Sequence, residues 1–181
     1  TTEIYTLSLH DALPICGLAV HGRSVTPARL DELLHAFLVH YEAHIADNSL
    51  PFEGVIETLD QLEREGWRLA VCTNKLERYS RLLLDRLALS QRFAANCGGD
   101  TFPFKKPDGR HILETAARAG GASTTIMVGD SRTDVDAARN AGVKVIGVSF
   151  GYTTTPMRDL KPDAVIDHFA DFAAALGAVA G

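Results

Sequence analysis

The sequence predicts an α/β fold: a parallel sheet covered by helices on both faces. Three observations predict it. From residue 68 onward, short apolar runs alternate with stretches of helical periodicity. The run at residues 143–148 is almost wholly apolar, as strands buried on both faces are. The apolar run at residues 125–129 stops at Gly129, and Asp130 and Asp134 follow it as a helix begins. Open α/β sheets place their ligands at such a carboxyl end.

Each element has a local reason. Thr26-Pro27 is a helix start, a hydroxyl cap before a proline at the first position. Leu30, Leu33, Leu34, Phe37, Leu38, Tyr41 and Ile45 then recur at helical spacing to about residue 46, and Asn48-Ser49-Leu50-Pro51 breaks the pattern. Residues 54–65 form a second helix with Val55, Ile56, Leu59 and Leu62 on one face and Gly66 as a left-handed cap. Strands follow at 68–73, 93–96, 125–129, 143–148 and 164–166, with helices at 76–87, 109–119, 133–141 and 169–176. No internal repeat or low-complexity linker interrupts the series.

Length and composition narrow the function. A chain of 181 residues suits one domain, or a core with a small appendage, and 46% hydrophobic content is ordinary for a globule with a real core. A net charge of −5 argues against nucleic acid or an anionic membrane as partner. Cys16, Cys72 and Cys97 show no C-x-x-C pattern and read as free thiols in a reducing, cytoplasmic setting. No apolar run is long enough to span a bilayer, and the start lacks the basic-then-apolar pattern of a signal peptide.

The carboxylates after Gly129 carry the chemistry. Asp130 belongs at the strand's carboxyl end, and Asp134 one helical turn later on the same face. Two hard oxygen ligands there suit Mg²⁺, which takes one or two carboxylates plus substrate phosphate and water. The spacing alone also fits a plain strand–turn–helix junction with one capping and one solvated Asp.

Three segments in order extend the reading. They are Leu69-Ala70-Val71-Cys72-Thr73-Asn74-Lys75; Gly98-Gly99-Asp100-Thr101 followed by Lys105-Lys106-Pro107-Asp108; and Val128-Gly129-Asp130 with Asp134. Together they resemble the second, third and fourth motifs of the haloacid dehalogenase superfamily, and within it the phosphoglycolate phosphatases. The resemblance covers residues 52–176. It implies a Rossmann-like parallel sheet flanked by helices, with a truncated helical cap, and a Mg²⁺-dependent phosphomonoester hydrolase. In that reading Thr73, Lys106 and Asp130 are catalytic. Thr73 donates to a phosphate oxygen, Lys106 supplies fixed positive charge, and Thr73, Asn74 and Lys106 bind substrate. Asp130 binds Mg²⁺ directly and Asp134 supports the metal shell, directly or through water. Lys75 reads as a surface charge. The dehalogenase branch uses no Mg²⁺, so the carboxylate pair favours a phosphatase or phosphomutase. Gly98-Gly99-Asp100-Thr101 and Phe150-Gly151-Tyr152 tilt the choice toward phosphoglycolate phosphatase.

The superfamily's first motif, Asp-x-Asp-Gly-Thr on a central strand, carries the nucleophile that forms an aspartyl-phosphate and the acid/base for the leaving group. No such pattern occurs here; Asp134-Val135-Asp136 falls inside the fourth-motif segment. Residues 1–16 resemble the conceptual translation of a sequencing-adapter oligonucleotide. The expected organisation is therefore an artefactual segment at 1–16, a remnant of the helical cap at 17–50 and a phosphatase core at 51–181. Residues 4–9 make a poor substitute for a central strand, since Thr6 and Ser8 would face the core, and Asp11 would fall near the nucleophile's position without completing the motif.

The expected partner is a small phosphorylated metabolite, with neither nucleic acid nor membrane, bound by a monomer or homodimer. One alternative is a catalytically inactive Mg²⁺- and phosphate-binding protein; another is a phosphatase or phosphomutase acting on a sugar phosphate. His40 and His44, four apart, could hold zinc but read as a solvated helix face. His10, His21, His35, His111 and His168 form no cluster, Trp67 reads as core or rim packing, and Cys72 as inert.

Overall fold

The computed structural model describes residues 26–151 and 155–181. The expectations for residues 1–16, Asp11, Cys16, His10, His21 and Tyr152 lie outside these residues, as does part of the remnant at 17–50.

Helix α1, Pro27–Ala43, begins as its sequence dictates: Thr26 Oγ1 accepts from the Arg29 N–H at 3.3 Å, and Pro27 takes the first turn. It buries none of its residues, and it stops three residues before the expected end, where 44–48 turn instead. Helix α2, Val55–Arg64, buries Val55, Leu59 and Leu62, and Gly66 follows it in the left-handed conformation.

The alternating region follows in order: β1 Leu69–Cys72, α3 Glu77–Arg86, β2 Phe93–Cys97, α4 Gly109–Arg118, β3 Ile126–Gly129, α5 Arg132–Ala141, β4 Lys144–Val148, β5 Ala164–Ile166 and α6 Phe172–Ala180. Asp108 caps α4 by accepting from the Arg110 N–H at 2.9 Å, and Ser131 caps α5. Single 3-10 turns at Ser90–Arg92, Met157–Leu160 and Phe169–Asp171 are additions to the expected elements. The last of these opens what the periodicity assigns to one closing helix, with His168 Nδ1 accepting from the Ala170 N–H at 3.1 Å.

Every strand pairing is parallel. The described strands pair as β1-β2 and β3-β4-β5. Side-chain alternation shows how they share their layers. Leu69, Val71, Ile126, Val128, Ile146 and Val148 enter one apolar core with Leu59 and Leu62 of α2 and Phe172 and Leu176 of α6. Cys72, Met127 and Val145 enter a second core with Ile112 of α4 and Val135 and Ala138 of α5. Period-2 alternation thus delivers apolar side chains to both faces, and helices cover each. Phe52, Phe150, Phe169 and Phe172 form an aromatic column, with successive centroids 5.4, 5.4 and 6.3 Å apart, joining the loop after β4 to α6.

Among the described residues no helix is long and apolar enough to cross a membrane. Ile146, fully buried on the middle strand of the larger sheet, sets the test of this packing. Ile146→Ala should cost about 2–5 kcal/mol, read as a lower urea midpoint.

Candidate active site

The site grows from the carboxyl ends of β1 and β3. Thr73 follows β1 directly and is fully buried. Its N–H donates to the Cys97 carbonyl at the end of β2 at 3.0 Å. Its Oγ1 accepts from the Lys75 N–H at 3.0 Å. The hydroxyl therefore closes a tight turn; α3 takes Leu76 as its cap residue, without a side-chain bond. Asn74 Nδ2 donates to the Lys106 carbonyl at 2.8 Å, which leaves its buried Oδ1 without a hydrogen-bond donor.

The Gly98–Thr101 segment braces that loop. The Gly99 N–H donates to the Lys75 carbonyl at 2.9 Å, and Asp100 Oδ1 accepts from the Glu77 N–H at 2.7 Å. Its observed work is to hold the segment 73–77 in place.

Lys106 is the centre. It is only 4% exposed, and its Nζ donates to the Cys72 carbonyl at 2.6 Å and to Asp134 Oδ1 at 2.8 Å. One ammonium thereby ties the end of β1 to the helix that follows β3. Its own N–H donates to Nδ1 of buried His111 at 3.2 Å. Burial, reinforced by the Lys106 charge, pushes the His111 imidazole down to about 4, so it stays neutral near pH 7. The sequence reading left His111 unassigned; its fixed offset after the Lys-Pro pair, on the buried face of α4, is the signal that could have marked it.

Asp134 narrows one expectation. Oδ2 accepts from Ser131 Oγ at 2.6 Å, the Ser131 N–H at 3.0 Å and the Asp130 N–H at 3.2 Å, while Oδ1 serves Lys106. Ser131 Oγ in turn accepts from the Asp134 N–H at 3.3 Å, completing a capping box. Both carboxylate oxygens already accept, so Asp134 orients Lys106 and the turn after β3, and of the two expected roles, direct ligand or support through water, this arrangement suits the second. Burial alone would raise its pKa; the Lys106 charge and the hydrogen bonds from Lys106 and Ser131 outweigh that and hold it below the usual carboxylate range. Gly129 is required here, because a Cβ would overlap the Asp134 side chain.

Asp130 lends its N–H to this network and lies half-buried at the same strand end. The loop after β4 presses onto it so closely that a Cβ at Gly151 would overlap the Asp130 carboxylate. Among the described residues no three His, Cys, Asp or Glu side chains cluster as a metal site. A hard cation here would rest on Asp130 and draw its other oxygens from substrate and water, a donor set that fits magnesium.

The structure thus joins Thr73, Asn74, Lys106, Asp130 and Asp134 in one connected network. Lys75 is a correction: its side chain is fully buried, not solvated, and its Nζ donates to Tyr41 Oη of α1 at 2.7 Å. His40 and His44 stay on the exposed face of α1, their rings 4.4 Å apart, with His44 paired to Asp47 at 2.6 Å. Trp67 packs partly buried against the core, and Cys72 and Cys97 are buried.

Comparison with known proteins agrees with this geometry. The family model for haloacid dehalogenase-like hydrolases matches residues 18–148. A phosphoglycolate phosphatase of Agrobacterium fabrum is 51% identical over 159 residues, covering 87% of this chain and 68% of that protein. One of Mesorhizobium japonicum is 49% identical over 152 residues, covering 83% and 67%. A solved structure described as a predicted phosphoglycolate phosphatase of Haemophilus somnus superposes with a TM-score of 0.83 at 28% identity, covering 88% of this chain and 72% of that one.

Two expected outcomes follow from the buried pair. Asp134→Ala should destabilise the fold by about 3–5 kcal/mol in urea unfolding, because it strands the Lys106 ammonium and orphans the Ser131 donors. Stability should also fall with acid. Below the ordinary histidine value of 6.5 the unfolded chain takes up a proton that folded His111 refuses until about 4. The loss across that window is up to about 1.4 kcal/mol per pH unit. Asp134, whose folded value is depressed, adds a further loss at lower pH. Urea midpoints measured from pH 7.5 to 4 check this, and His111→Asn should flatten the upper part.

Proposed function

The chain belongs to the haloacid dehalogenase-like hydrolase family, and on that premise we propose that it is built to hydrolyse 2-phosphoglycolate to glycolate and phosphate. The observation that carries the reading is the buried Lys106 ammonium, fixed between the Cys72 carbonyl and Asp134 beside the Thr73 turn. Phosphoryl transfer needs its equatorial oxygens neutralised by groups already in place. Lys106 is such a group: buried, held by the Cys72 carbonyl and Asp134, and charged. Thr73 Oγ1 is held by the Lys75 N–H, which leaves its own proton to point at a phosphate oxygen. Asn74 is tied to the Lys106 carbonyl, so the two substrate-binding loops move as one.

Asp130 would hold Mg²⁺. When bound, magnesium neutralises charge on the phosphate and fixes its orientation. Asp134 acts on that site through the turn it caps and through Lys106. The partner is a small phosphorylated metabolite, taken by a monomer or homodimer in the cytoplasm.

In the family-type reaction a carboxylate attacks phosphorus, the alkoxide leaves with a proton from a second carboxyl group, and water then cleaves the acyl phosphate. Both carboxyl groups belong to Asp-x-Asp-Gly-Thr, a pattern these 181 residues do not contain. That observation favours a second reading for the molecule as written: anion and metal binding without turnover.

Calorimetry and a phosphatase assay with Mg²⁺ separate the readings. The chain should bind inorganic phosphate and show negligible turnover of 2-phosphoglycolate. Turnover should appear when an Asp-x-Asp-Gly-Thr strand replaces residues 1–16, and Asp130→Asn should then abolish it. Lys106→Met should weaken phosphate binding by at least about tenfold. Unchanged phosphate affinity in Lys106→Met would refute the site. Turnover by the chain as it stands, lost in Asp11→Asn, would make Asp11 the nucleophile.

A further inference from the structure

Lys75 is a buried cation that the phosphate chemistry leaves unused. Its side chain is fully buried, among the largest in the protein to be so. Its ammonium donates once, to Tyr41 Oη at 2.7 Å, and lies 5.3 Å from the centroid of the same ring. An ammonium carries three donors. Among the described residues no Asp or Glu pairs with it, and burial is what pulls its pKa down, to about 8. Buried charges are ordinarily paired, because an uncompensated one costs several kcal/mol. A core selected for stability alone would place a methionine or leucine here.

The position of this cation matters. Lys75 lies two residues after Thr73, and its N–H holds the Thr73 hydroxyl. Its side chain reaches to α1, which buries no residue of its own. Tyr41 stacks with Phe37 and meets Tyr79 edge-on, centroids 5.9 and 5.4 Å away. The phenol is held above its ordinary range, at about 12, by burial and then by Tyr79, so Tyr41 is neutral and gives the ammonium no counter-charge. The junction of α1 with the Thr73 loop therefore keeps one positive charge with donors to spare, two residues along the chain from the Thr73 hydroxyl.

We propose that the Lys75 ammonium, steadied by the Tyr41 phenol, receives the carboxylate of the substrate, so that the site selects small phosphate esters bearing a second anionic group. This rests on the phosphatase reading above and names its specificity residue. The phosphate goes to Lys106 and Thr73, and the carboxylate goes to Lys75, with α1 closing the junction through Tyr41. Binding removes the electrostatic cost that the free protein carries, which gives the doubly anionic ester its advantage over a neutral-tailed one.

Titration of the 181-residue chain with 2-phosphoglycolate and with ethyl phosphate, in buffer containing Mg²⁺, tests it. The two esters differ in the carboxylate. The unmodified chain should bind 2-phosphoglycolate at least about tenfold more tightly than ethyl phosphate. Lys75→Met should bring that ratio close to one and raise the melting temperature, since it removes a buried unpaired charge. Tyr41→Phe, which frees one more donor, should keep or increase the ratio. An undiminished ratio in Lys75→Met overturns the proposal while leaving the phosphatase reading intact. A lower melting temperature in Lys75→Met likewise marks Lys75 as structural and overturns it. If neither ester binds the unmodified chain, both readings fall.

Discussion

The contact between Lys106 and Asp134 is the constraint from which the rest of the site takes its shape. Both side chains are almost sealed from water, so neither could be left without the other. Each also has a second obligation. Lys106 takes the Cys72 carbonyl, and Asp134 takes the turn after β3. Removing charge from solvent is costly, and full satisfaction of every donor and acceptor is what makes it tolerable. Such a pair is only weakly screened by salt, unlike the exposed ion pairs of Arg29 with Glu32 or Arg158 with Asp167. Its value is geometric: it fixes the ends of β1 and β3 relative to each other at the point where chemistry would occur.

The fold was largely legible because the physics behind it is local. Residues 143–148 could only be a two-sided strand, and β4 is the middle strand of its sheet. Thr26-Pro27 and Gly66 punctuate their helices as their conformational preferences require. Boundaries shifted by up to four residues, in places where ends fray into turns, as at 44–48. Which strand pairs with which was not legible. Periodicity tells which residues alternate, and says nothing of which strands meet.

The candidate site was read from motif order at Thr73, Asn74, Lys106 and Asp130, which the structure gathers at the carboxyl ends of β1 and β3. The reading fell short where a side chain's role depends on the tertiary neighbour it finds. Asp134 could be a direct metal ligand or a support through water, because carboxylates four apart share a helix face. The lysine that claims it lies 28 residues away, on another loop. Lys75 looked like a surface charge because most lysines are. Its phenolic partner lies 34 residues earlier, on a helix whose packing the sequence does not announce. His111 was overlooked because its contact is the backbone of a loop, so only its offset after the Lys-Pro pair could have marked it.

The aromatic column has a reach beyond packing. Phe150, second in the column, stands directly before Gly151, the residue that lies against Asp130, while Phe172 ends the column at the start of α6. Tilted and edge-on rings packed in a dense interior pass strain to their neighbours. A shift of α6 at Phe172 is therefore a mechanical intervention on the loop that lies against Asp130, with one ring, Phe169, between Phe172 and Phe150.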